Sequence, residues 1–174
     1  RTNWKNIWDA KGDSNIMDLK VLSGHENTPI EPRGLATLIS DNMKLETDDK
    51  VLEVGAGAGM IAQYLLCDYT GSDYSESLCH KHRQILGNVV VHCAADSLPF
   101  EDNSFDKVFA FSVFHYFDNH DYAIRVLREM ERVATKLVFI GDLPYQSHDS
   151  DHLLYTKEMF PDWHPIDGFY RDTR

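Results

Sequence analysis

The chain has 174 residues, 28 acidic against 17 basic side chains and a formal net charge of −11, so a single domain is the first expectation. Hydrophobic residues make up 43% and include 9 Phe, 8 Tyr and 3 Trp, which supplies a core and excludes disorder as the main state. The acidity, with a pI near 5.1, gives no general attraction for phosphate backbones or anionic lipid, so nucleic acid is an unfavoured partner. No run of about 18 apolar residues is present to span a membrane.

Three cysteines, Cys67, Cys79 and Cys93, are odd in number and lack CxxC spacing. That pattern opposes both a disulfide framework and a zinc knuckle and fits a reducing cytoplasm. The basic run His80, Lys81, His82, Arg83 is short. The first residue is Arg1, which leaves room for a leader upstream.

In chain order, Trp4, Ile7 and Trp8 are spaced like one face of a short helix. Pro32 stands where a first helical turn accepts proline, and Leu35, Leu38, Ile39 and Met43 continue an amphipathic helix to about Lys44. Strands are expected at Val51 to Val54, Tyr69 to Asp73, Val89 to Val91, Lys107 to Phe111 and Lys136 to Gly141. Helices are expected at Met60 to Leu66, from the N-cap Ser75 to Leu86, and from Asp121 to Ala134. A helix near Thr156 to Phe160 and one strand near Ile166 to Tyr170 end the chain. Alternating strands and helices predict an α/β fold, a Rossmann-like doubly wound sheet, mainly parallel, with helices on both faces.

The stretch Val51-Leu-Glu-Val-Gly55-Ala-Gly57-Ala-Gly59-Met60 runs from a strand through a glycine turn. Glycines there permit positive φ and close approach of a ligand to bare backbone, and in an open α/β sheet ligands bind beyond the carboxyl ends of the strands. A dinucleotide fingerprint reads GxGxxG; here the third glycine comes one place early, and Met60 takes its position. Glu53, inside an apolar strand, would repel a pyrophosphate and calls for a cationic group. S-adenosylmethionine (SAM) carries such a group, an α-ammonium. Asp73, at the end of the second strand, is placed to accept ribose hydroxyls, a feature shared by SAM and NAD.

Glu53-Val-Gly-Ala-Gly-Ala-Gly59, Gly71-Ser-Asp-Tyr-Ser75, Asp96-Ser-Leu-Pro-Phe100 with Asn103-Ser-Phe-Asp106, and Leu127-Arg-Glu-Met-Glu-Arg-Val133 stand in the order and at the intervals of one family. From about Lys50 to Asp142 the chain resembles class I SAM-dependent methyltransferases, in the branch of ubiquinone-biosynthetic and small-molecule enzymes. The resemblance implies that Gly55, Ala56 and Gly57 line the methionine moiety, that Glu53 faces its ammonium side, that Asp73 holds the ribose and that Tyr74 lies against the adenine. It also places Ala95 and Asp96 at the adenine, with Ala94 standing where relatives carry an aspartate, and Phe111 and Ser112 beside the cofactor. Relatives often have a Pro-Gly-Gly turn before the fifth strand, where this chain runs Arg132-Val-Ala-Thr-Lys136.

Alignment of acceptor, methyl and sulfur supplies much of the acceleration in such a displacement, and a general base is needed only for a poor nucleophile. Candidate catalytic residues at the ends of strands four and five are His115, Tyr116 and Asp142. His148, Asp149, Asp151 and His152 resemble metal ligands in type, but loop polarity explains them equally well, and no metal is expected. The expected layout is an N-terminal helical lid over residues 1–45 that includes Trp4 and Trp8, a SAM-binding core over 50–142, and an acceptor-side loop with an incomplete C-terminal hairpin over 143–174. The family sheet has seven strands, so the last is expected to be missing and the chain to be partial. The expected activity is methyl transfer to a small-molecule oxygen, nitrogen or carbon acceptor. Competing readings are a noncatalytic SAM-binding module and an NAD-dependent oxidoreductase; the oligomeric state is open.

Overall fold

In the computed structural model, the described residues are 2–144, 151–160, 164–165 and 168–172. Three helices come first: α1 (Trp4–Asp13), α2 (Leu19–Leu22) and α3 (Pro32–Met43). Then follow β1 (Lys50–Val54), β2 (Asp68–Asp73), α4 (Glu76–Leu86), β3 (Val89–His92), β4 (Phe105–Phe111), α5 (His120–Val133) and β5 (Ala134–Gly141). Two short strands, β6 (His164–Pro165) and β7 (Gly168–Asp172), complete the sheet.

The seven strands lie in the order β3-β2-β1-β4-β5-β7-β6. The first five are parallel, and β7 runs antiparallel to β5 and to β6. Three expectations are corrected here. The strand expected near Ile166 to Tyr170 is β7, and the strand expected to be missing is present as the two-residue β6, so the hairpin is reduced only in its outer strand. The helix expected at Met60 to Leu66 is a single 3-10 turn, Ala62–Tyr64, because the glycine turn consumes the start of the crossover and β2 already begins at Asp68. The C-terminal helix is likewise one 3-10 turn, Lys157–Met159.

Local chemistry sets the helix ends. Glu31 caps α3 by accepting from the Arg33 and Gly34 amides, with Pro32 at the first helical position, as proline's fixed φ favours. Ser75 caps α4 and Asn119 caps α5, satisfying amides that would otherwise lack partners. The short α2, capped by Asp18, was not expected from the sequence.

Alternation along the strands divides the core. Leu52, Val54, Val108, Ala110, Val138 and Ile140 pack with Val126, Met130 and Val133 of α5. On the opposite face Val51, Phe109, Leu137 and Phe139 meet Ala36, Ile39 and Met43 of α3. Phe109, Phe139 and Met130 are fully enclosed, and burial of side chains this large contributes about 2–3 kcal/mol each. Glu53 follows Val51 on the α3 face, so the pleat that buries Val51 also buries the carboxylate.

Two sequence blocks read separately are joined by Arg132. Its guanidinium donates to Leu98 O at 3.0 Å, Phe100 O at 2.8 Å, Asp102 Oδ1 at 2.8 Å and Glu129 Oε1 at 2.8 Å. Glu129 in turn accepts from the Leu98 amide at 2.8 Å. The helix α5 therefore braces the loop after β3. Among the described residues no helix is long and apolar enough to cross a membrane.

Candidate functional site

The strand order reverses between β1 and β4, which opens a crevice at their carboxyl ends. A cavity of about 560 Å³ occupies it. Its floor is the glycine turn after β1. The Gly55 and Ala56 amides both donate to Ser72 O at 2.9 Å, which ties the turn to β2. Gly55, Gly57 and Gly59 have φ of +74°, +52° and +98°, a region costly for any residue with a Cβ. At Gly55 a Cβ would collide with Val113, whereas at Gly57 it would meet nothing within 4 Å. Gly57 is therefore bare backbone facing open space.

Two carboxylates converge on this floor. Glu53, 3% exposed, accepts a hydrogen bond from the Tyr69 hydroxyl at 2.6 Å. Burial pushes its carboxyl up to about 8, against the opposing effect of the Tyr69 hydroxyl and with a further push from Asp73. Asp73, also buried, accepts from the Ser75 amide through Oδ1 and the Gly57 amide through Oδ2, each at 2.9 Å. Burial raises its carboxyl too, while those two amides pull it down. Both groups carry free lone pairs toward a site that would reward a cation and hydroxyls.

Of the residues expected at a cofactor, Glu53, Gly55, Ala56, Gly57, Asp73, Tyr74, Ala95, Phe111 and Ser112 all line the cavity, and Tyr116 joins them from the acceptor candidates. Asp96 does not: its carboxylate turns to Arg125, 3.2 Å from Nε. His115 is buried beside the cavity wall. It lies in the 3-10 turn Phe114–Tyr116, which directs Tyr116 inward and places the His115 ring 5.1 Å from that of His152. Asp142 is also outside the lining; it accepts from the Ser112 hydroxyl and lies 3.7 Å from His115 Nε2. Ser112 and Asp142 have φ of +57° and +55°, so two strand ends are bent sharply where they meet.

The roof comes from the N-terminal segment. Trp4 and Trp8 line the cavity, with ring centroids 4.8 and 5.2 Å from that of Tyr116 in edge-to-face geometry. Helix α1 is held on α4 by Ser77 Oγ donating to Asp9 O at 2.9 Å and by Lys81 Nζ donating to Ser14 O at 2.6 Å. Asp151 accepts from the Thr2 amide at 3.0 Å, and the His152 ring lies 5.4 Å from that of Trp4. These two residues of the polar loop thus contact the N-terminal segment; His148 and Asp149 lie outside the described residues. Among the described residues there is no cluster of three or more His, Cys, Asp or Glu suited to a metal.

Sequence reasoning missed Leu22, Ser23 and His25, which reach the cavity through α2. The signal was available: Asp18 as a cap ahead of Leu19 and Leu22, spaced i and i+3. It also missed His82, taken as part of a basic run and found fully buried under the glycine turn.

Residues 52–138 match the family model described as "Methyltransferase domain". Phthiotriol/phenolphthiotriol dimycocerosates methyltransferase 1 of Mycobacterium ulcerans is 36% identical over 92 residues, 48% of this chain and 33% of that protein. The chain thus spans about a third of the length of the curated relatives it matches. Among solved structures, a SAM-dependent methyltransferase from Thermotoga maritima superposes with a TM-score of 0.59 at 22% identity, over 74% of this chain and 66% of that one. A chain from the complex between the Haloferax volcanii Trm112 methyltransferase activator and a methyltransferase superposes with a TM-score of 0.66 at 18% identity, over 90% and 76%. At these identities the structural likeness shows the Rossmann-like fold.

Proposed function

The chain belongs to the methyltransferase domain family, and from that premise we propose that it binds S-adenosylmethionine and transfers its methyl group to a small-molecule acceptor. The observation that carries this reading is the pairing, in one cavity, of a buried Glu53 carboxyl, without a cationic partner among the described residues, and a bare Gly57 backbone. An ammonium beside Glu53 would replace the solvation lost on burial. A pyrophosphate would meet the Glu53 carboxyl instead, which disfavours a dinucleotide.

The residues fit SAM as follows. Glu53 receives the α-ammonium, Gly55 to Gly57 give backbone room for the methionine chain, and Asp73 accepts the ribose hydroxyls. Tyr74 lies against the adenine, and Ala95 borders it. Asp96 is left to its ion pair with Arg125. When bound, SAM supplies a methyl on positively charged sulfur, activated for displacement. The chain's own part is to exclude water and align the acceptor, effects that account for several kcal/mol of a displacement barrier.

Trp4, Trp8 and Tyr116 form the acceptor side, with α1 as a lid. That wall is aromatic, and among the described residues lining the cavity the acidic ones are Glu53, Asp73 and Asp118 and the basic ones Lys5 and His25. Lys5 is already paired with Asp9 at 2.7 Å. The acceptor read from this balance is small and neutral or cationic, rather than a phosphate or carboxylate. His115 and Asp142 stand behind Tyr116 and Ser112, where they set the wall.

Single-turnover transfer of labelled methyl from SAM to a panel of neutral, cationic and anionic metabolites tests the reading. Labelled product from a neutral or amine acceptor is expected. Tight SAM binding with no product from any acceptor would favour a noncatalytic binding module.

A further inference from the structure

Helix α4 puts one buried polar side chain directly beneath the glycine turn. His82 Nδ1 lies 3.0 Å from Gly57 O, and its Nε2 lies 3.1 Å from Asn88 Nδ2. A carbonyl oxygen only accepts, so Nδ1 carries the proton and Nε2 accepts from the Asn88 amide. The ring is fully buried, and burial holds its basicity down to about 4, so it is neutral at ordinary pH. Gly57 is thereby gripped from two sides: its amide by Asp73 Oδ2 at 2.9 Å and its carbonyl by His82.

The early third glycine belongs to the same device. A Cβ on Gly59 would stand 2.8 Å from His82 Nε2 and 2.5 Å from Leu86 Cδ1. Glycine at this position lets α4 press His82 against the turn. The His82 ring centroid also lies 5.8 Å from that of Tyr69, whose hydroxyl reaches Glu53, so the grip on the turn abuts the carboxylate pair.

We infer that His82 is a positioning residue for the cofactor: its Nδ1–H, with Nε2 held by Asn88, holds Gly57 in the left-handed conformation that exposes bare backbone to the methionine end of SAM. This rests on the SAM reading above. Without the grip Gly57, a residue of high conformational freedom, must be ordered by the ligand itself, and affinity falls by the cost of that ordering.

The test is calorimetric titration of the unaltered chain and of His82→Asn, His82→Gln and Asn88→Ala with S-adenosylhomocysteine, alongside thermal unfolding of each. An asparagine amide nitrogen takes the place of His Nδ1, whereas a glutamine amide reaches toward the place of Nε2. His82→Asn is therefore expected to bind within about threefold of the unaltered chain and His82→Gln about tenfold more weakly, one hydrogen bond's worth. Both lose the ring, so a purely structural role would weaken both alike, in step with their unfolding temperatures; that result overturns the inference. Should neither His82 variant fold, Asn88→Ala, at a half-buried position, decides: a loss of about threefold or more is expected, and unchanged affinity overturns it. No binding by the unaltered chain would instead overturn the SAM reading itself.

Discussion

Tyr69 and Glu53 meet across neighbouring strands, hydroxyl to carboxyl oxygen at 2.6 Å, on a buried face of the sheet. Because β1 and β2 are parallel and Glu53 pairs in register with Gly71, Tyr69 lies two residues back on β2 with its side chain on the same face. Gly71, between them, leaves the room: a Cβ there would sit 3.0 Å from the Tyr69 hydroxyl. A carboxyl so placed is an unfavourable element of the empty protein and a favourable one of the liganded protein.

The pH dependence of binding follows from this. Burial raises Glu53 to about 8 in the empty cavity, so below that pH the group is protonated and must lose a proton to meet an ammonium. SAM affinity should rise with pH, by up to about tenfold per unit, and level off near pH 8. Titrations across pH 6 to 9 check it, and Glu53→Gln should flatten the profile. The stability of the empty protein has the opposite sign. A carboxyl whose folded value is raised binds its proton more tightly in the folded state, so unfolding free energy falls as pH climbs from about 4.5 to 8, and Glu53→Gln should abolish that fall.

Arg132 ties α5 to the loop that carries Ala95 into the cavity. Arg132→Ala removes bonds to two backbone carbonyls and two carboxylates and should cost about 2 kcal/mol, given partial exposure. Chemical denaturation measures it. Arg132→Lys should recover little, because an ammonium does not reproduce the planar fork.

Trp8 closes the cavity against Tyr116. Trp8→Ala should speed dissociation of S-adenosylhomocysteine several-fold, with a smaller effect on association, since it opens the roof and leaves the floor intact. Stopped-flow displacement checks this, and Trp8→Phe should restore most of the residence time.

Much of the fold was legible because its signals are local. Runs such as Val51 to Val54 and Val89 to Val91, the cap at Ser75 and the apolar stripe of α5 each announce their element within a few residues. What the sequence hid depends on distant partners. The crossover after Gly59 carries apolar residues suited to a helix, yet the position of β2 allows it only one 3-10 turn. Tyr116 and His115 are adjacent in sequence, and only the turn geometry decides which faces the cavity. Asp96 was expected at the adenine, and its carboxylate meets Arg125, a residue far along the chain. His82 read only as part of a basic run because its partners, Gly57 O and Asn88, come from a turn and a loop that no periodicity links.

The central claim is that this cavity holds SAM through Glu53 and Asp73. The most direct measurement is calorimetric titration at pH 8 with S-adenosylhomocysteine, for the unaltered chain and for Asp73→Ala. The account predicts one-to-one binding by the first and a loss of about a hundredfold or more in the second, as two or three hydrogen bonds to ribose and turn disappear. Equal affinity of the two folded proteins, or binding of NADH in place of S-adenosylhomocysteine, would contradict it.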